Sequence, residues 1–256
     1  MALGSMMSTA VGLGVFPALA WGAIADAAEI KVLSTIGVKS MVEELAPQFE
    51  QKTGHKLAIT FGIASVLKRQ IEAGETFDLA IVTAGVADDL IKQGKLVAAT
   101  RADVARGGIG IGVRAGAPKP DIGSVDALKR ALLEAKSITY AKEGGSGIYF
   151  AGLLERLGIA EAMKPKTKYG TGNVAELVVA GEAEMAVLLI TELIAVPGAV
   201  LVGPLPAEVQ NYIVLTGGVG AQAKEPGLAK DLLQFLTAPA AVPVIKSKGL
   251  EPGSRP

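Results

Sequence analysis

The stretch Phe61–Thr83, FGIASVLKRQIEAGETFDLAIVT, decides the fold predicted for this chain. An apolar strand over 57–61 runs into it, and the chain restarts at Ser65, a residue whose hydroxyl can cap a helix. Apolar residues four apart then follow on one helical face, and Gly74 marks the end of the helix. The apolar run over 77–82 is typical of a parallel strand buried on both faces. Strand, turn, helix and strand in this order predict a right-handed βαβ unit.

The turn of this unit is the first candidate binding site. Ser65 lies beside the first N–H groups of the predicted helix, which have no partner within the helix. Free N–H groups and the helix dipole together attract anions. The turn is therefore predicted to bind an anion.

A second copy of part of this pattern occurs later in the chain. Asn173 is placed to cap a helix, and Glu176 is placed to close a capping box with it. That helix ends in Ala-Gly-Glu at 180–182, as the first one does at 73–75, and the strand that follows ends at Thr191. Two such units in one chain suggest two similar lobes that face each other.

Composition narrows the class of protein. The chain of 256 residues has 25 basic and 25 acidic side chains, so nothing points to nucleic acid or an anionic membrane as a partner. Half of its residues are hydrophobic and only 4% are aromatic, which favours a packed α/β protein of one large or two modest domains. The absence of cysteine excludes disulfides, thiol catalysis, iron–sulfur clusters and cysteine zinc sites.

The N-terminus predicts export. The apolar, small-residue run Thr9–Trp21 is followed by Ala-Asp-Ala at 25–27, the pattern that a signal peptidase reads before Ala28. Residues 1–27 are therefore predicted to be a signal peptide and the mature protein to be periplasmic. The first seven residues contain no Lys or Arg, which indicates a misplaced start or vector-derived residues at the front. A buried N-terminal helix is the alternative.

Catalytic and metal chemistry find little support in the sequence. His55 is the single histidine, and it lies in a predicted turn between a helix and a strand. Neither a catalytic triad nor a metal site can be built from it. We therefore predict a protein that is not an enzyme, with no catalytic residues, no metal and no cofactor.

Four corners of the predicted fold join the carboxyl end of a strand to the start of a helix. They lie at 34–37, 62–65, 144–147 and 172–174. Open α/β sheets bind ligands at such corners. Several helix starts that converge on one cleft can bind a small anion through N–H and hydroxyl groups, without Arg or Lys.

Two glycine-containing strands are predicted to join the lobes. The first is Gly107–Arg114, where glycine alternates with apolar residues, and the second is Tyr212–Val219. The predicted domains are lobe 1 over 28–107 with 217–256, and lobe 2 over 108–216.

The mature chain resembles the periplasmic molybdate-binding proteins of the type 2 solute-binding class. The resemblance is carried by LKRQIEAG at 67–74 with Asp-Leu at 78–79, by Gly-Ile-Tyr at 147–149, by Asn-Val at 173–174 and by Ala-Pro-Ala-Ala at 238–241. It implies the type 2 periplasmic-binding-protein fold, with two α/β lobes, hinge strands and an oxyanion bound between the lobes. It also implies delivery of that ligand to the membrane permease of an ABC importer.

The site departs from the family pattern at three positions. Gly37 and Ala64 stand where the family has serines, and Leu189 stands where it has a ligand-facing tyrosine. Each lost donor is worth about 1–3 kcal/mol at a buried anion. The N–H donors of Ser146 and Val174 carry over, because they do not depend on the side chain. The predicted ligand-binding residues are Ser34, Thr35, Gly37, Ala64, Ser65, Ser146, Asn173, Val174 and Thr191.

The sequence thus predicts an exported, monomeric binding protein that captures a small anion such as molybdate or tungstate for an ABC importer. A small organic acid is an alternative ligand, in which case Lys39 and Tyr149 are placed to meet a carboxylate. A ligand-sensing module like the effector domains of LysR-type regulators is a further alternative, because those domains share this fold.

Overall fold

A computed structural model describes Met1 and residues 27–253 of the chain. The predicted signal peptide falls outside the described residues except at its two ends. Within the described part, no single helix is long and apolar enough to cross a membrane, although one bent pair, Pro226–Thr237 with Pro239–Ser247, passes by length and composition.

Ten strands lie within residues 27–253. They are β1 (Glu29–Thr35), β2 (Lys56–Gly62), β3 (Leu79–Thr83), β4 (Ala102–Arg114), β5 (Ile138–Tyr140), β6 (Thr167–Tyr169), β7 (Met185–Leu189), β8 (Ala199–Pro204), β9 (Tyr212–Val219) and β10 (Glu251–Pro252).

The same part of the chain contains ten α-helices. They are α1 (Lys39–Thr53), α2 (Ala64–Glu72), α3 (Ala84–Lys92), α4 (Val125–Glu134), α5 (Gly145–Arg156), α6 (Ala160–Met163), α7 (Ala175–Val179), α8 (Ile190–Ile194), α9 (Pro226–Thr237) and α10 (Val242–Ser247).

The strands form one sheet with a repeated order. That order is β2-β1-β3-β9-β4-β7-β5-β6, with β8 and β10 pairing with β4 beside it. In the first half, β1 lies parallel between β2 and β3, and in the second half β5 lies parallel between β6 and β7. The two halves therefore have the same strand arrangement, one on each side of the antiparallel pair of β9 and β4. This confirms the predicted α/β class with two similar parts.

The long strand β4 belongs to both halves. Its residues from Ala102 to Gly108 pair with β9, and those from Ile109 to Val113 pair with β7. The strand begins five residues before the predicted Gly107, whereas β9 has the predicted bounds. Because β9 also pairs with β3, the two halves meet along a continuous ladder of hydrogen bonds.

Glycines on β4 allow a helix to lie directly against it. A Cβ at Gly110 would lie 2.9 Å from Cγ1 of Ile190, and one at Gly112 would overlap the side chain of Leu193. Both neighbours belong to α8, so the alternation of glycine predicted a close approach that the structure contains. This packing fixes α8 at the end of β7.

The C-terminal helices pack on the first half. The Phe235 ring on α9 meets Phe49 of α1 edge to face, with centroids 5.6 Å apart. Beyond α10, Lys248 Nζ lies 2.6 Å from a carboxylate oxygen of Glu44, and β10 then pairs with β4. The end of the chain is thereby joined to α1 and to the shared strand.

The helix starts agree with the predicted caps only in part. Ser124 accepts a hydrogen bond from Ala127 N, as a cap of α4 should. The predicted cap at Ser65 is wrong, because the chain enters α2 extended at Ile63 and Ser65 becomes the second helical residue. The predicted capping box of Glu176 is also wrong, since α7 starts after Val174 without a side-chain cap from that carboxylate.

We predict that two glycines of α5 respond oppositely to alanine. A Cβ at Gly147 would overlap the backbone carbonyl of Ala141, which cannot move without shifting β5, so Gly147→Ala should destabilise by about 2 kcal/mol or more. Gly152→Ala is the matched control, because its Cβ would meet only the flexible end of Arg156 at 3.6 Å. That change should stabilise by up to about 1 kcal/mol through helix propensity. Urea unfolding of both variants measures the difference, and equal midpoints would contradict it.

Candidate functional site

The four predicted corners meet around one small cavity between the halves of the sheet. Its volume is about 40 Å³, room for only a few waters. The starts of α1, α2, α5 and α7 all contribute to its wall, together with the ends of β3, β7 and β9. The lining residues from the four corners are Thr35, Ile36, Gly37, Ile63, Ala64, Ala141, Gly144, Gly145, Ser146, Gly172 and Val174.

Two hydroxyls reach this cavity without a partner. Thr35 at the end of β1 and Ser146 in the first turn of α5 are each only 7% exposed. Among the described residues, neither hydroxyl has a hydrogen-bond partner, and both residues line the cavity. Neither oxygen is fully enclosed by protein, because Thr139 Oγ1 is the one fully buried side-chain atom there that lacks a partner. The Thr35 and Ser146 hydroxyls are therefore free to bond with a ligand in the cavity.

A second, larger cavity of about 330 Å³ adjoins the first. The two share Ile36 and Glu192 in their walls. The predicted site residues Asn173 and Thr191 line this second cavity rather than the first, and so does Lys39 of α1. The hydroxyl of Thr191 lies 3.3 Å from that of Ser40, a contact that joins α8 to α1 across the halves.

Two predicted site residues lie away from both cavities. Ser34 is fully buried inside β1, and its hydroxyl donates to the carbonyl of Thr35. Because neighbouring residues of a strand point to opposite faces of the sheet, Ser34 points away from the cavity that Thr35 lines. The Ser65 hydroxyl points across the halves and donates to the carbonyl of Glu143 at 3.1 Å. Arg69 on the next turn of α2 pairs with the carboxylate of the same Glu143 at 2.8 Å. Ser65 therefore joins the halves through its side chain.

Asn173 also has a connecting role. Its amide nitrogen donates to the carbonyl of Glu192 at 2.9 Å, and its amide oxygen accepts from Ala175 N at 3.1 Å. The side chain thereby joins the start of α7 to α8. Val174, next to it, is the predicted site residue of this corner that lines the small cavity.

One side of the cavity is formed by apolar side chains, at the positions where the sequence has no polar residue. Leu189, Ile213 and Leu215 lie there. A Cβ at Gly37 would lie 2.9 Å from Cδ1 of Leu189 and 3.3 Å from Leu215, so the leucines occupy the space that a serine at 37 would need. The glycine at 37 and the leucine at 189 therefore depend on each other, because the leucine side chain fits only where residue 37 has no side chain.

Glu192 is the polar residue of the site that the sequence analysis missed. It stands at the third position of α8, and its carboxylate accepts a hydrogen bond from Leu189 N at 3.3 Å. No Lys, Arg or His nitrogen of the described chain lies within 4 Å of it. The residue keeps partial exposure toward the cavities, but protein surrounds the carboxyl, and this burial raises its pKa to about 7. The sequence signal that could have identified Glu192 is its position three residues after the end of an apolar strand, close to a corner of the fold.

Metal binding has no support in the described part of the chain. No group of three or more His, Asp or Glu side chains there is arranged to hold an ion. The lone His55 accepts a hydrogen bond from Ala28 N at 3.2 Å, far from the cavities in sequence and in its contacts.

Comparison with known proteins gives the class. The family model of bacterial extracellular solute-binding proteins matches residues 30–251. The chain is 31% identical over 230 residues to an aconitate isomerase of a Pseudomonas species, with 87% of each chain covered. It is 28% identical over 259 residues to the molybdate-binding protein ModA of Azotobacter vinelandii, with 96% of each covered. The solved structure of the periplasmic molybdate-binding protein of that organism matches with a TM-score of 0.75 at 20% identity, over 89% of this chain and 99% of that one.

The fold is that of a type 2 periplasmic binding protein. The chain belongs to the family of bacterial extracellular solute-binding proteins. The predicted membership of the group that contains the periplasmic molybdate-binding proteins is thereby confirmed.

We predict that Glu192 makes stability fall as pH rises. A carboxyl whose pKa is higher in the folded than in the unfolded state favours folding while protonated, and this contribution is lost between about pH 4.5 and 7. The loss amounts to at most about 3 kcal/mol. The unfolding free energy of the wild type minus that of Glu192→Gln should therefore decrease over this range.

Asp89→Asn is the control of opposite sign. Its hydrogen bond with Lys68, 2.8 Å long, lowers the pKa of Asp89, so its contribution is lost only as pH falls into the acid range. The difference between wild type and Asp89→Asn should stay constant from pH 5 to 8. A pH-independent difference for Glu192→Gln, measured by urea unfolding, would show that its carboxyl is not buried in solution.

Proposed function

We propose that this solute-binding protein captures a small carboxylic-acid anion for an ABC importer, in the cavities between its two halves. The observation that carries the proposal is the pair of unpartnered hydroxyls on two largely buried residues, Thr35 and Ser146, beside an apolar wall and a second cavity lined by Lys39. Polar donors on one side and apolar surface on the other match an organic anion.

The donors come mainly from two longer helices. Ala64 and Ser65 begin α2, and Gly145 and Ser146 begin α5, so their N–H groups have no partner four residues earlier in the helix. Helix starts also carry partial positive charge, which attracts an anion without a buried Lys or Arg. The hydroxyls of Thr35 and Ser146 add directed hydrogen bonds to this charge.

The shape of the site favours a carboxylic acid over a tetrahedral oxyanion. Gly37, Ala64 and Leu189 lack the hydroxyls that the family pattern places around the oxyanion, and leucines fill part of that space. The adjoining cavity offers Lys39 and the hydroxyls of Ser40 and Thr191 to a second carboxylate. The relative named aconitate isomerase supports an organic acid, whereas the relative named molybdate-binding protein supports the oxyanion as the alternative.

The same relative favours a second candidate function. An isomerase that is 31% identical over most of the chain gives a specific reason to consider catalysis on a bound acid. The prediction that the protein is not an enzyme therefore stays a prediction.

We further propose that the halves are lobes that close on the ligand, with the boundaries predicted at 107/108 and 216/217. Two sets of contacts hold the closed form: Ser65 and Arg69 with Glu143 on one side, and Ser40 with Thr191 on the other. Export to the periplasm with cleavage before Ala28, a monomeric state and an unidentified permease partner complete the proposal.

Binding is expected to depend on the two hydroxyls. Thr35→Val and Ser146→Ala each remove one hydrogen bond and should weaken binding of cis-aconitate or citrate by roughly five- to thirty-fold. Ser247→Ala, which removes an exposed hydroxyl of α10 that donates to Val244, is the control and should bind as the wild type does. Calorimetry with cis-aconitate, citrate, molybdate and tungstate measures this.

The same panel separates the alternatives. Binding of molybdate or tungstate with no binding of either acid would overturn the proposed ligand and favour the oxyanion. If none of the four binds, the proposal that these helix starts hold an anion is wrong.

Closure is expected to compact the molecule. Small-angle scattering of the wild type should show a smaller radius of gyration with saturating ligand than without it. Arg69→Ala removes a half-exposed ion pair worth at most about 1 kcal/mol, so it should make the unliganded protein more open while ligand still closes it. Identical curves with and without a ligand that binds would contradict closure.

A further inference from the structure

We propose that Glu192 carries a proton between two carbon atoms of a bound unsaturated polycarboxylic acid, so that this chain isomerises its ligand. The inference rests on the proposed function in one respect, namely that the ligand is a carboxylic acid. It deepens the second candidate function by giving the bond changes and the residue that touches the reacting atoms.

The first argument is the position of Glu192. It is shared by the walls of both cavities, so a ligand with one carboxylate at the start of α5 and another near Lys39 must pass this residue. Such a ligand needs at least two carboxylates joined by a short carbon chain. The carbons between the carboxylates then lie beside Glu192.

The second argument is electrostatic. A carboxylate repels an anion, and the repulsion grows when protein rather than water surrounds both. Within residues 27–253 no cation is paired with Glu192, since Lys39 of the same cavity lies 3.7 Å from Glu43 instead. For binding alone this residue is unfavourable, whereas for moving a proton an unpaired carboxyl at the ligand is required.

The chemistry needs only this one group. Ionised Glu192 removes a proton from a CH₂ group that lies between a carboxylate and a C=C bond. The electron pair of the broken C–H bond forms a new C=C bond, and the former C=C bond shifts its electrons toward its far carbon. Glu192 then returns the proton to that far carbon, so the double bond has moved and no oxidant, reductant or other reactant is consumed. Donors at the helix starts stabilise the negative charge that develops on the substrate carboxylate.

The proton affinity of the group agrees with this role. Burial raises the pKa of Glu192 to about 7, which makes it a stronger base than an exposed carboxylate and leaves it partly ionised at neutral pH. The other titratable groups that line the cavities with it are Lys39 and Glu43 of α1 and Glu176 of α7. None of these three is hydrogen-bonded to the Glu192 carboxyl.

A purely structural role makes a different prediction. Glu192 accepts a hydrogen bond from Leu189 N and so caps the start of α8. Glutamine keeps an oxygen for this bond but cannot take up the proton. Because glutamine has nearly the same shape as glutamate, Glu192→Gln removes proton transfer while it keeps the capping hydrogen bond.

The experiment follows cis-aconitate with the full-length mature protein in D₂O by proton NMR, with binding measured in parallel by calorimetry. The wild type should produce the trans isomer, and deuterium should enter the CH₂ group in those turnovers in which protonated Glu192 exchanges with D₂O before it returns the proton. Glu192→Gln should bind within a few-fold of the wild type and lose at least about 100-fold in both rates. The value of kcat/KM in the wild type should fall as pH decreases below about 7, where Glu192 becomes protonated. Glu182→Gln, an exposed change beyond α7, is the control for an unrelated loss of carboxylate.

Each outcome decides the matter. Binding of cis-aconitate with neither isomerisation nor exchange by the wild type overturns the inference and leaves the proposed function standing. Isomerisation by Glu192→Gln at the wild-type rate overturns the role of Glu192. Absence of binding by any carboxylic acid overturns the proposed function and this inference with it. Tricarballylate, the saturated analogue, should bind without exchange, because its CH₂ protons are not next to a C=C bond.

Discussion

The structure depends on one strand that pairs in two directions. The first part of β4 joins the ladder with β9, and its second part joins β7, so both halves of the sheet share the same backbone. This pairing turns the carboxyl ends of the strands in the two halves toward each other. The helix starts that follow those strands must then meet, and the cavity arises where they do. Glycines at 110 and 112 are part of this constraint, because they let α8 lie against the shared strand.

The meeting of helix starts creates an electrostatic site made mostly of neutral groups. In the proposed function, N–H groups and two hydroxyls attract the anion, and because the helices hold these donors in place, we expect little reorganisation on binding. Glu192 is the exception, since it places an ionisable carboxyl without a cation in the same wall. Contacts of Ser65 and Thr191 join the two halves beside this arrangement. The proposed binding, closure and proton transfer therefore depend on one set of elements.

The order of elements was predictable from the sequence because local pattern determines it. Apolar runs bounded by glycine marked β3, β7 and β9, and amphipathic spacing marked α1 and α2. The four corners followed from this order, since parallel strands carry their helix starts at one edge. Details of the caps were less predictable. The Ser65 side chain is suited to capping, but in the folded protein it bonds to Glu143, which lies far away in the sequence. Asn173 does accept a hydrogen bond at the start of α7, and its amide nitrogen also bonds to α8.

The sequence by itself thus determined the two-part α/β fold, the family and the corners that form the site. Only the tertiary structure decided which side chains of those corners face the cavity. Ser34 and Thr35 are neighbours of similar chemistry, yet one is sealed inside the sheet and the other opens to the cavity. In the sequence, Glu192 looks like an ordinary residue of a helix surface. In the structure its carboxyl is desolvated, because elements distant in the chain pack around α8. Burial and proton affinity depend on what surrounds a group in space, and the chain order alone does not specify those neighbours.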